Sequence, residues 1–221
     1  MSDIFAEVDE EVRQEQLAKL WRQYGNYIIA ALCLVVALVA AYRFYDYWQT
    51  TKAAESGAAF EAAAKLATEG KSNDAEAAFT RIVADGTPGY QALAQLRAAS
   101  EVASRDPKAG AAAYDKAAGE LREPLFSELA SIRAAVLLVD TAKYDEMNAR
   151  LEPLTQPKGA FRHTAREILA MSAWRNGDTA ASRRWVEAAR NDPEVPQGVR
   201  SRVELLAALL PDANKPSASQ P

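Results

Sequence analysis

The chain holds one histidine and one cysteine, and neither sits where it could do chemistry alone. His163 stands beside Arg162 and Arg166 at the start of a predicted helix, so no histidine pair exists to hold zinc. Its expected role is that of a surface histidine. Cys33 lies inside an apolar run and His163 has no Ser/Asp pattern around it, so a nucleophile with a base and an orienting group is missing. Neither Gly-x-x-x-x-Gly-Lys-Ser/Thr nor Gly-x-Gly-x-x-Gly occurs, which leaves no phosphate cradle of the usual kinds. Asp9, Glu10 and Glu11 are adjacent on a predicted helix, where their side chains point in different directions, and they read as a solvated tail rather than a metal site. We therefore assign no catalytic, cofactor-binding or metal-binding residue and expect no enzyme and no cofactor. The rival from that class is a hydrolase with an unusual acidic pair.

Two further groups invite a binding role. Arg162, Arg166, Arg175, Arg183, Arg184 and Arg190 could make a basic patch for an acidic partner, although a hydrated outer helix face accounts for them more simply. Trp174 and Trp185 suit either interface anchors or repeat core, and their spacing favours core. Nucleic acid is disfavoured: the net charge is -4 and the pI is about 5.3, the opposite of the basic balance that releases counterions. A single cysteine also excludes a disulfide framework.

The elements that must carry these residues begin with an apolar stretch. From Gln23 to Tyr42 there are 20 consecutive residues without a charge, bracketed by Arg22 and Arg43. At about 1.5 Å per residue they span roughly 30 Å, the thickness of a bilayer's hydrocarbon core. Trp21, Tyr24 and Tyr27 mark one end and Tyr42, Phe44, Tyr45, Tyr47 and Trp48 the other, as amphipathic rings do at headgroup level. A cleaved signal would carry a short basic leader, yet residues 1–22 hold six acids against Arg13, Lys19 and Arg22; "VAA" at 39–41 is the best cleavage site on offer. The core helix of a soluble protein is the other alternative. Arg13, Lys19 and Arg22 before the stretch against Arg43 and Lys52 after it lean towards an inside N-terminus, with the C-terminal part outside. In a bacterium that part would lie in the periplasm. Ahead of the stretch, Ile4, Phe5, Val8 and Val12 recur at helical intervals and make an amphipathic lead-in.

Residues 50–210 are rich in Ala, Leu, Arg and Glu and show no alternating strand pattern, so the class is all-α, cut into about nine helices by turn residues at 69–74, 85–89, 105–110, 121–124, 153–159, 176–178 and 191–196. A repeat runs through them. "LAQLRAA" at 93–99 returns as "LASIRAA" at 129–135 and in part as "AREILAM" at 165–171, in steps of 36. Small-then-large pairs four residues apart (Ala75 and Phe79, Gly110 and Tyr114, Met147 and Leu151, Ala181 and Trp185) lie between them, and prolines 88, 124, 157 and 193 punctuate the units. A fixed period means stacked helical hairpins that share a continuous core, capped by a last helix near 197–210.

This period, with an Ala-x-x-x-Phe type pair in each second helix and a closing proline, resembles the tetratricopeptide repeat, though the Trp and Leu-Gly of its first helix are absent. The layout as a whole, "DIFAEVDEEVRQEQLAKLWRQYGNY", a span ending in "YRFYDYW" and an Ala-rich repeat domain, resembles the ancillary SecYEG translocon subunit family, the YfgM-like periplasmic proteins. The resemblance implies a bacterial inner-membrane protein beside the Sec export channel, presenting its domain to emerging clients or periplasmic chaperones. The expected organisation is a cytoplasmic amphipathic helix (1–22), a transmembrane helix (23–45), a tetratricopeptide-like helical-hairpin solenoid (46–210) and a disordered tail (211–221). Partner-binding residues stay unassigned, as does any homo-oligomer formed through the span. An envelope-assembly scaffold unrelated to the channel is the alternative function.

Overall fold

The computed structural model describes the backbone of residues 3–211 and the side chains of Lys19 and residues 21–211. The stripe of Ile4, Phe5, Val8 and Val12 side chains and the tail beyond Pro211 lie outside the described residues. Among the described residues there are nine α-helices, one 3-10 turn and no strand.

No proline precedes Pro88, and only Gly25 and Gly57 interrupt the helix formers before Thr68, so nothing breaks the first helix. α1 accordingly runs unbroken from Asp3 to Thr68, through the positions where lead-in, apolar stretch and repeat domain were expected to meet. The chain divides into two compact units, Met1–Ala54 and Glu55–Pro221. In the first, every side chain from Asn26 to Thr50 is exposed, Val36 and Leu38 by more than six-tenths, so no protein surface covers the apolar stretch. The core-helix alternative fails on this point. By length and composition the helix can cross a membrane.

The second unit is a stack of antiparallel pairs. The end of α1 pairs with α2 (Ser72–Asp85), α3 (Pro88–Arg105) with α4 (Pro107–Glu120), α5 (Pro124–Leu138) with α6 (Tyr144–Leu151), and α7 (Arg162–Arg175) with α8 (Thr179–Arg190). α9 (Gln197–Leu209) follows as a single last helix. Local chemistry sets the ends. Pro88, Pro107 and Pro124 open α3, α4 and α5, where the missing N–H would have no helical partner anyway. Asp106 caps α4 by accepting from the Lys108 and Ala109 amides at 2.9 and 3.2 Å, and Asp178 caps α8 through the Ala181 amide at 2.9 Å. Gly70 and Gly177 end α1 and α7 at φ 76° and 79°, a left-handed step that side-chain-bearing residues resist.

The turn at residues 139–143 contains neither glycine nor proline and was not among the expected breaks. It is closed from outside: the Arg175 guanidinium of α7 donates to the Val139 carbonyl at 2.8 Å and to the Ala142 carbonyl. Tertiary contacts supply here what turn residues supply elsewhere.

Four apolar clusters, each shared by successive helices, make up the core. Phe79, Ile82 and Ala75 of α2 meet Ala63 of α1 and Ala94 of α3; Tyr114 and Ala111 of α4 meet Leu96 of α3 and Ala130 of α5. Met147 and Leu151 of α6 meet Ile132 and Leu169, and Val186 of α8 meets Val199, Val203 and Leu206 of α9. The small-then-large pairs are core as their spacing suggests, apart from the half-buried Trp185, because residues four apart share one helix face. Gly110 marks the closest approach: a Cβ there would overlap the Ala103 backbone of α3.

Candidate protein-binding surface

The polar residues with the most chemical promise turn out to be ties. His163 and Arg162 sit in the first turn of α7, and Asp192 and Glu194 in the connection from α8 to α9. The Asp192 carboxylate accepts from Arg162 Nε and Arg166 Nη1, both at 2.9 Å, and Arg162 also reaches Glu194. Arg166 spends its remaining donors on the Thr155 and Ala188 carbonyls. His163 is buried, not on the surface, with Nδ1 3.6 Å from Asp192 and without a hydrogen bond. With both flanking cations consumed and no nucleophile present, the cluster fastens the last pair to α9.

Its charges respond to pH in one direction. The Arg162 hydrogen bond holds Asp192 well below the usual carboxylate range, and burial, with Arg162 adding to it, lowers His163 from its ordinary 6.5. In both cases the unfolded chain binds a proton the folded chain resists, so stability falls on acidification. The melting temperature of the repeat domain should therefore decline as pH drops through 6.5, and again below about 4. Circular dichroism melts of the His163→Gln variant should lack the first decline; an unchanged profile would refute the assignment.

The six arginines do not gather into one basic patch. Arg162, Arg166 and Arg175 are engaged as described, Arg183 donates to the Pro211 carbonyl, and Arg184 lies over the Trp185 ring at 5.3 Å; Arg190 is exposed. Trp185 is half-buried, its Nε1 donating to Tyr144 Oη at 2.9 Å, whereas Trp174 is 45% exposed and does not belong to the core. Two ion pairs step by one repeat, Asp115 with Arg150 and Glu167 with Arg202, each 35 residues apart. They hold register between neighbouring pairs.

The exposed large apolar residues of the second unit lie elsewhere, on α3, α5, α7 and α9. The backbones of α3 and α5, α5 and α7, and α7 and α9 approach more closely along the stack than those of the second helices do. The first helices and α9 thus pack against one another along one side of the stack. Two grooves open there. One, of about 210 Å³, is lined by Leu93 and Arg97 of α3, Leu129 and Arg133 of α5, Phe60 of α1 and Tyr114. The other, of about 320 Å³, is lined by Met171 and Trp174 of α7, Leu205 and Leu209 of α9, and Asp140. Leu205 and Leu209 are more than six-tenths exposed. Neither groove was foreseen. The one legible signal was that Arg97 and Arg133 occupy the same place in "LAQLRAA" and "LASIRAA".

A stack of helical pairs that leaves apolar and basic side chains open along one side has the architecture of a helical-repeat interaction domain. A family model described as tetratricopeptide repeat-like domain matches residues 18–204, and the chain belongs to that family. Neither the curated proteins nor the solved structures include a match. Repeat domains of this class are in general non-catalytic modules that bind other proteins.

Proposed function

We propose that the chain is a single-pass inner-membrane protein, N-terminus in the cytoplasm, whose repeat domain binds proteins in the periplasm as an ancillary factor at the Sec export channel. One observation carries the membrane-anchored binding reading: α1 bears a lipid-length apolar stretch with no protein cover and continues without a break into a repeat domain with an open apolar face. Anchoring raises local concentration, so weak individual contacts suffice for clients or chaperones near the membrane. The channel itself enters through the layout that resembles ancillary translocon subunits, and 23–45 is taken as the span.

Two experiments test this. Reporters active only in or only outside the cytoplasm, fused after residue 60 and after Pro221, should place both sites outside on a full-length chain. Photo-crosslinkers at Val36 and Trp174 should then capture channel subunits and exported proteins, respectively. A cytoplasmic C-terminus would overturn the proposal. Crosslinks to envelope-assembly proteins without the channel would favour the scaffold instead.

A further inference from the structure

Arg97 and Arg133 stand 36 residues apart at equivalent places in successive repeats, and both point into the smaller groove. Both are exposed, and among the described residues neither has an ion-pair partner; Arg97 has only the Phe79 ring, 5.9 Å from its guanidinium. The groove lining contains no carboxylate. This contrasts with the arginines that build the stack, since Arg105, Arg150, Arg162, Arg166 and Arg202 are each paired to an acid. In a chain of net charge -4, two unpaired cations on an apolar floor make a local site of opposite sign.

The site continues along α5. Leu129, Arg133 and Val136 follow one another at helical intervals, the first two lining the basic groove, and Asp140, in the turn just past the end of α5, lines the apolar one. α5 therefore runs from the groove that holds Arg97 and Arg133 towards the one that holds Trp174, Leu205 and Leu209, where Arg175 and Arg202 also stand.

We propose that this face takes an acidic and apolar segment of a partner protein, pairing its Asp or Glu side chains with Arg97 and Arg133 and seating its apolar side chains against Trp174, Leu205 and Leu209. The inference rests on the domain being an interaction module and adds the chemistry of what it binds. Planar guanidinium forks match carboxylates two bonds at a time, which fits a peptide's acidic side chains. A concave groove does not meet a flat lipid surface, which argues for a peptide over an anionic membrane.

The test uses the full-length protein in nanodiscs of zwitterionic lipid and short fluorescent peptides that join a Glu cluster to a Leu/Phe run, in either order. Glu peptides should bind about tenfold or more tighter than the same peptides with Gln, with the preference weakening in salt. R97Q together with R133Q should abolish that preference, R97K with R133K should retain most of it, and Trp174→Ala should weaken Glu and Gln peptides alike. Equal binding of Glu and Gln peptides would overturn this inference and leave the interaction-module reading standing. Failure of every peptide to bind would overturn this inference too, and the interaction-module reading would then stand or fall on the crosslinking at Trp174. Capture of anionic vesicles in place of peptides, or self-association abolished by R97Q and R133Q, would equally overturn it by identifying a different occupant.

Discussion

Phe79→Ala should cost about 3–5 kcal/mol, the range for emptying a fully buried aromatic site. Phe79 has no exposed surface; its ring meets Phe60 at 5.2 Å between centroids and packs with Ala63, Ala75 and Ala94. Three helices therefore lose a shared contact at once. Small alanines around it offer little to collapse into the space, which places the expected loss towards the upper part of that range. Because a repeat stack is held by contacts between neighbours, the damage should appear first as loosening of the α1–α2–α3 end, with the α7–α9 end following at higher denaturant. Urea titration followed by circular dichroism reads the total, and hydrogen exchange reads its location. Leu93→Ala, at the exposed lining of the smaller groove, is the control and should change stability little. A Phe79→Ala loss no larger than that of the control would contradict the packing described.

The second large effect concerns the membrane. Val35 lies near the middle of the uncharged stretch and Leu38 about one turn further on, both on one side of α1 and exposed. An arginine at the centre of a spanning helix costs about 2.5–3.5 kcal/mol on insertion scales, so V35R with L38R should prevent stable insertion. Carbonate extraction of membranes should move the variant into the soluble fraction, while Thr50→Arg with Thr51→Arg, beyond the aromatic belt, should stay in the pellet. Retention of the V35R/L38R chain as an integral protein would refute the proposed span. A chain shortened near Ala41 would instead revive the cleaved signal, leaving a secreted repeat protein.

These variants also separate what could be read from residues and what could not. Helix identity was legible because alanine, leucine, glutamate and arginine favour helix locally and proline and glycine end it. The core was legible for the same kind of reason: Ala75 and Phe79, or Met147 and Leu151, are four apart and must share a face. The turn at 139–143 was not, because no residue within it dictates the break; Arg175, from another helix pair, holds it. His163 was misread for the same cause. Flanked by arginines it resembles a surface residue, and only the return of Asp192 from the far end of α8 brings an acid that neutralises those arginines and lets the ring be covered.

By itself, the sequence determined the all-helical class, the repeat period, the paired core positions such as Ala75 with Phe79 and Met147 with Leu151, and the uncharged stretch long enough to cross a bilayer, since each depends on spacing along the chain. Tertiary structure alone decided which helix face turns inward, which arginines are spent on neighbours and which stay unpaired, and where Trp174 ends up. Those outcomes depend on distances between residues about one repeat apart or more, and such distances come into being only when the pairs stack.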